Sequence, residues 1–248
     1  MVFPPLSTFA VSVDRSPRLY GARRSLLTTL VLAASVLIVP APAQHTPFPP
    51  DQTVRPPRLE VTVPDFPAAG LILDIGGGGE GIIGRIKGPQ VIAIDLSKQE
   101  LEDAPGRPLL KIVMDACDLK FLDGTFPTAT AFFTFMYVWP TDHPKILAEV
   151  YRVLQPGGRL LVWDVVFPTR EVDPGKHLVL YELRIVIPGG GEVETGYGVH
   201  RLPPPGRGAS ELVALAKAAG FEIIQRRDER GWFFVELRKP ESSGLGPH

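Results

Sequence analysis

Cysteine is almost missing from this chain. Cys117 stands alone among 248 residues, which excludes an intramolecular disulfide and any cysteine-based zinc site and leaves the redox compartment open. Histidine is nearly as sparse: the five present fall at no metal-ligand spacing, so no metal is expected. Charge of one sign is missing as well, since 26 Lys and Arg against 27 Asp and Glu leave a net charge of −1. The basic residues are interspersed with acids rather than blocked, so no nucleic-acid partner is expected. No apolar run reaches the roughly 20 residues that span a bilayer.

The run from Leu26 to Val39 comes nearest. It follows Arg15, Arg18, Arg23 and Arg24 and precedes Ala41-Pro42-Ala43, the order of a secretory signal with a small-residue cleavage site. Residues 1–43 therefore read as a signal peptide or membrane anchor. Export or tethering by that segment is the expected localisation, with a cytoplasmic protein as the alternative, and membrane contact is expected only if the segment stays uncleaved. The pair Arg23-Arg24 fits a twin-arginine signal and equally a chance pair.

Proline is concentrated in one place. Seven prolines lie between Gln44 and Pro67, so residues 44–69 read as an extended, semi-rigid linker. Residues 70–240 are long enough for one core and carry no composition shift, which predicts one domain, and residues 241–248 read as a flexible tail. Within the domain short apolar runs alternate with helix-compatible segments, the pattern of an α/β fold with a mostly parallel sheet. Strands are predicted at Leu71–Ile75, Val91–Asp95, Leu110–Met114, Thr130–Tyr137 and Arg159–Asp164. Between them, helices run from the glycine turn to about Lys87, from an N-cap at Ser97 to Ala104, and from Asp142 until Pro156-Gly157-Gly158 stops the last. Leu178–Ile187 and Glu192–Leu202 read as an inserted hairpin, about 176–202. Ser210 is the expected N-cap of a helix closed by Gly220, and Phe221–Gln225 pairs with Trp232–Leu237 as antiparallel strands.

One stretch narrows the chemistry. Leu71-Ile-Leu-Asp74-Ile-Gly76-Gly-Gly78-Gly-Glu80-Gly81 places glycines at the dinucleotide-binding spacing after an apolar strand. Asp74, expected at the strand mouth, opposes a pyrophosphate there, because like charges in a partly desolvated cleft repel by several kcal/mol. A ligand bearing an ammonium and a sulfonium is favoured by the same carboxylate.

Three more features follow in order: Asp95 ending the second strand, Asp115-Ala116-Cys117-Asp118-Leu119-Lys120-Phe121 after the third, and Glu149-Val-Tyr-Arg152-Val-Leu-Gln-Pro156-Gly157-Gly158-Arg159 before the fifth. With Leu73-Asp74-Ile75-Gly76-Gly77-Gly78 this ordered set resembles the class I S-adenosylmethionine-dependent methyltransferases, particularly their type-11-like group. The resemblance covers residues 70–165 strongly and 210–238 as a terminal helix and hairpin. It implies a doubly wound, mostly parallel, seven-stranded Rossmann-like sheet with an antiparallel C-terminal strand. It implies S-adenosyl-L-methionine as cofactor and methyl transfer to a small-molecule acceptor as function. By resemblance Gly76 and Gly78 meet the methionine part and Asp74 faces its ammonium directly or through water. Asp95 accepts both ribose hydroxyls, Leu96 packs on the adenine, Asp115 and the Ala116 backbone meet its amino group, and Thr134, Phe135 and Met136 line the methyl side. Glu80 departs from the pattern, standing where a third glycine is usual, with Gly81 one residue later.

Other readings stay open at this level. Gly79 and Gly81 serve either ligand approach or turn geometry, Asp95 either ribose or a helix cap, and Asp118 a cap or solvated turn. Phe132, Phe133 and Phe135 read as core. No general base stands out among His143, His177, Tyr181, His200 and Tyr137, and an already activated electrophile does not require one. The rival functions are an NAD(P)-binding oxidoreductase using the same glycines and Asp95, and an exported binding protein of the same fold without turnover.

Overall fold

A computed structural model describes residues 49–167, 176, 178–199 and 208–241. The signal segment, His177, His200, the end of the hairpin at Leu202 and the tail beyond residue 241 lie outside the described residues. In chain order the strands are β1 (Thr53–Val54), β2 (Leu59–Thr62), β3 (Ile72–Ile75), β4 (Val91–Asp95), β5 (Leu110–Val113), β6 (Phe126–Phe132), β7 (Leu154–Val165), β8 (Leu178–Ile187), β9 (Gly191–Val199), β10 (Glu222–Asp228) and β11 (Trp232–Arg238). The helices are α1 (Ile82–Lys87), α2 (Lys98–Asp103), α3 (His143–Val153) and α4 (Ala209–Ala218). Among the described residues no helix is long and apolar enough to cross a membrane.

Seven strands form the main sheet in the order β10-β11-β7-β6-β3-β4-β5. β11 runs antiparallel to both its neighbours and the remaining pairs are parallel, so the expected doubly wound sheet is present. Strand alternation divides each strand between two cores. Leu73 and Ile75 face α3 and α4 in one cluster with Ile94, Leu147, Val150 and Leu212. Ile72 faces the other way, in a second cluster with Ala93, Trp163, Ile83 and the residues of a smaller sheet.

That smaller sheet is built on β8. β1 and β2 pair parallel along one edge of it and β9 antiparallel along the other. Within the segment read as a linker, residues 53–54 and 59–62 are thus strands paired to β8, which makes them part of the folded domain. Leu59, Val61, Val63 and Phe66 are nearly fully buried, and each such side chain contributes about 1.5–3 kcal/mol. Four of them suffice to dock a segment that prolines keep from forming a helix.

Several element boundaries differ from the pattern-based expectation: α3 ends at Val153 and β7 begins at Leu154, so Pro156-Gly157-Gly158 lie within that strand and do not stop the helix. β6 begins at Phe126 and ends at Phe132, and Phe135–Tyr137 form a 3₁₀ turn instead of continuing the strand. Phe133 has a left-handed φ of 52°, a conformation that a side-chain-bearing residue rarely adopts and that ends the extended strand. Gly208, not Ser210, caps α4, whose first helical residue is Ala209. Asp142 precedes α3 without a side-chain capping bond, its carboxylate being engaged by Lys145 instead. Elsewhere local chemistry wins: the Ser97 hydroxyl accepts the Glu100 N–H to cap α2 as expected.

Candidate active site

The carboxyl ends of β3, β4 and β6 lie level, with Ile75 opposite both Ile94 and Ala131. Asp74, next to last in β3, pairs in register with Thr130 of β6, whose Oγ1 donates to Asp74 Oδ1 at 2.7 Å. Only 2% of Asp74 is exposed, so it lies beneath the glycine turn rather than at an open strand mouth. Burial pushes its carboxyl up to about 7; the Thr130 bond pulls the other way and the Asp95 charge adds to the rise.

The turn wraps over that carboxylate. A Cβ at Gly77 would stand 2.7 Å from Asp74 Oδ2 and 2.8 Å from the Ala93 Cβ, and one at Gly78 would stand 2.6 Å from the Glu100 Cβ and 2.9 Å from Asp95 Oδ2. At Gly76, where φ is +68°, it would stand 2.6 Å from Thr134 Oγ1. These contacts admit no side chain without displacement. Gly81 has another duty. With φ of +56° and a Cβ position 2.4 Å from the Pro105 carbonyl oxygen, it answers to turn geometry at the start of α1. Gly77 N–H and Gly79 N–H donate to the carbonyls of Ile94 and Glu100, tying the turn to β4 and α2.

Asp95 ends β4 half-buried. Its Oδ1 accepts the Ser97 N–H at 2.8 Å; since the Ser97 hydroxyl itself caps α2, Asp95 is not the helix cap. Burial raises its carboxyl while the Ser97, Gly78 and Leu96 amides hold it down. Leu96 is 69% exposed, an apolar surface beside Asp95. One strand over, the Met114 N–H bonds the Asp95 carbonyl and Asp115 Oδ1 accepts the Cys117 N–H at 2.8 Å, with Asp115 exposed and Ala116 half-buried. Asp118 lies in a solvated turn paired with Lys120. Thr134 closes the far side, its Oγ1 donating to the Ile75 carbonyl at 2.8 Å.

The Glu149-to-Arg152 motif holds this edge in place. Arg152 donates to Glu149, Asp123 and the carbonyls of Phe121 and Leu119, while Glu149 accepts the Leu119 N–H. The guanidinium therefore ties the loop after β5 to α3.

The candidate bases separate plainly. His143 is buried with Nε2 3.2 Å from the carbonyls of Phe135 and Val138, which only accept, so that nitrogen carries the proton. Tyr181 is 1% exposed, and burial holds its hydroxyl above the usual range. Tyr137 is half exposed beside Thr134. Phe132, Phe133 and Phe135 are core residues.

Two site features escape spacing rules. Asp164, at the end of β7, accepts the N–H groups of Val165 at 2.8 Å and Met136 at 3.2 Å, fastening the loop after β6; a further strand-ending Asp was the available signal. Glu80 is engaged by the hairpin: Tyr197 Oη donates to Oε2 at 2.8 Å and Thr195 Oγ1 donates to Oε1. No local pattern announces that.

Asp74 and Asp95 can only accept once ionised, and both lie against the turn. Their negative charge opposes a pyrophosphate at this turn. Among the described residues no cluster of three His, Cys, Asp or Glu is placed to hold a metal.

A methyltransferase-domain family model matches residues 73–162. The chain is 32% identical over 149 residues to a demethylmenaquinone methyltransferase of Thermus thermophilus, covering 58% of this chain and 65% of the relative. It is 30% identical over 183 residues to a ubiquinone/menaquinone biosynthesis C-methyltransferase of Dinoroseobacter shibae, covering 65% of this chain and 70% of that one. Among the first curated relatives it spans 65% of one and 49% of another. The solved structure of the (4+2)-cyclase SpnF shares the fold, with a TM-score of 0.50 and 20% identity over 71% of this chain and 77% of that chain. These similarities give no support to a nicotinamide oxidoreductase or to a binding protein without turnover. With a glycine turn seated on two strand-end carboxylates and relatives of this identity and coverage, the chain belongs to the class I S-adenosylmethionine-dependent methyltransferases.

Proposed function

We propose that this protein transfers a methyl group from S-adenosylmethionine to a small, flat, ring-bearing acceptor. The observation that carries the cofactor half is the stack of Asp74, Gly77, Gly78 and Asp95, in which two acceptor-only side chains flank a turn that tolerates no Cβ. Support for the acceptor half comes from relatives named for quinone substrates and from the half-exposed rings of Tyr137 and Trp139 in the loop after β6. A fungal relative at 29% identity is named as an O-methyltransferase, so the acceptor atom varies across these neighbours.

When bound, the cofactor supplies a methyl group on a sulfonium, an electrophile that needs alignment more than activation. The chain's own residues supply the alignment. In this reading Asp95 accepts from paired hydroxyls, Leu96 covers a ring, Asp115 and the Ala116 backbone meet an amino group, and the Gly76–Gly78 backbone approaches the ligand closely. Thr134 fixes the turn against the loop that carries Tyr137. Burial holds the hydroxyls of Tyr181 and Tyr197 above the ordinary phenol range, so both stay protonated, and that of Tyr197 donates to Glu80.

Calorimetric titration of the full chain with S-adenosylhomocysteine and, separately, NAD tests this reading. Binding of the first and not the second is expected, with Asp95→Ala weakening it by about 10-fold or more, the worth of a hydrogen bond to a charged group. Binding of NAD alone sinks the proposal, and unchanged affinity in Asp95→Ala removes that residue from the site.

A further inference from the structure

Glu80 stands where the family pattern has a glycine, and the structure finds a use for it. Its carboxylate is divided between two hydroxyls of β9, Tyr197 on Oε2 at 2.8 Å and Thr195 on Oε1, partners 117 and 115 residues away. Strand alternation puts both on one face of the hairpin. The Glu80 backbone is also fixed, because Arg85 Nε donates to its carbonyl at 2.7 Å. Beyond its hydroxyl, the Tyr197 ring lies 5.7 Å from the Phe133 ring and 6.4 Å from the Tyr137 ring. Those two residues flank Thr134, which packs against Gly76. A closed circuit results: glycine turn, Glu80, Tyr197, Tyr137, Thr134 and back to the turn. Hydroxyl-to-carboxylate bonds are among the stronger hydrogen bonds, so Glu80 is the firmest tie in it.

We propose that Glu80 is a positioning residue that couples the cofactor turn to the β8–β9 hairpin, so that ordering of the turn by cofactor sets Tyr197 beside Tyr137 as a wall of the acceptor pocket. The proposal rests on the S-adenosylmethionine reading above. Its physical basis is that a turn held by ligand also holds Glu80, and the hairpin then loses freedom it would otherwise keep. In the ordinary glycine-bearing pattern no side chain is available at this position to make that connection.

Amide hydrogen exchange of the full chain, with and without saturating S-adenosylhomocysteine, tests it. In the unaltered protein the β9 amides are expected to exchange about fivefold or more slowly with ligand, the lower end of ordinary site-to-site coupling. Glu80→Gln and Tyr197→Phe are each expected to reduce that ratio to less than about twofold, while calorimetric affinity for S-adenosylhomocysteine stays within about threefold. A residue with a merely structural role would speed exchange equally in both states and leave the ratio intact, and that result overturns the proposal. So does a ligand-independent β9 in the unaltered protein. Failure of S-adenosylhomocysteine to bind at all removes the cofactor reading itself and is read separately, by calorimetry. If Glu80→Gln fails to fold, the pair Tyr197→Phe and Thr195→Val, which keeps the ring and removes both hydroxyls from Glu80, decides the matter.

Discussion

Asp74 is expected to make cofactor affinity and the stability of the free protein respond to pH in opposite directions. Its carboxyl is pushed up to about 7 by burial, above the ordinary value near 3.9. Between those values the folded chain holds a proton that the unfolded chain has released, so stability falls as pH rises from about 4 to about 7 and is flat beyond. A cationic ligand above the turn favours the ionised form, so its affinity rises over the same interval. With a pKa of about 7, about one-eleventh of the carboxyl is ionised at pH 6 and about ten-elevenths at pH 8. The ratio predicts roughly tenfold weaker S-adenosylhomocysteine binding at pH 6 than at pH 8, or about 1.4 kcal/mol. Titration calorimetry in buffers of different ionisation enthalpy reads both the affinity and the released proton, about half a proton per ligand at pH 7. Asp74→Asn should bind with a flat pH profile, more weakly than the wild type even at pH 6, and should remove the matching slope from thermal denaturation of the free protein. Thr130→Val deletes the bond that favours the ionised form and should move the wild-type profile to higher pH. A wild-type affinity constant to within twofold across pH 6–8, or a slope that survives in Asp74→Asn, refutes the assignment.

Gly77→Ala forces a methyl to 2.7 Å from Asp74 Oδ2 and 2.8 Å from the Ala93 Cβ. Overpacking of this kind costs about 1–3 kcal/mol, and we expect S-adenosylhomocysteine affinity to fall by about 5- to 100-fold in calorimetry with the circular dichroism spectrum retained. Arg152→Ala breaks the bonds to Glu149, Asp123, Phe121 and Leu119; the melting temperature should drop by roughly 5–10 °C, corresponding to about 2–3 kcal/mol. Leu59→Ala opens a hole where a methyl group packs on Gly231. A loss of about 2–5 kcal/mol is expected in denaturant unfolding, and a loss under about 0.5 kcal/mol would mean that β2 is not docked in solution.

Much of the fold is legible in the sequence because its signals are local. Apolar period, the cap at Ser97 and the breaks at glycine and proline depend on residues within one turn or one pleat of each other, and β4 comes out with the bounds read from the sequence, Val91–Asp95. The ordered strand-end residues are legible too, since a parallel sheet brings every carboxyl end to one edge whatever the loops do. Where a strand stops inside an apolar run is less visible. Nothing near Phe133 announces its left-handed backbone, because it stands among apolar neighbours that read as a continuing strand, and Phe132, Phe133 and Phe135 are all buried.

Read alone, the 248 residues determined the fold class, the family and the edge of the sheet at which the strand-end carboxylates and the glycine turn gather. Only the tertiary structure decided that Asp74 lies buried beneath the turn, that β1 and β2 complete a second sheet on the hairpin, and that Glu80 is bound by Thr195 and Tyr197. Each of these depends on contacts between residues far apart in the chain, 56 positions for Asp74 and Thr130 and more than a hundred for Glu80 and the hairpin. Such contacts follow from which surfaces pack together, and no spacing within a single element encodes them.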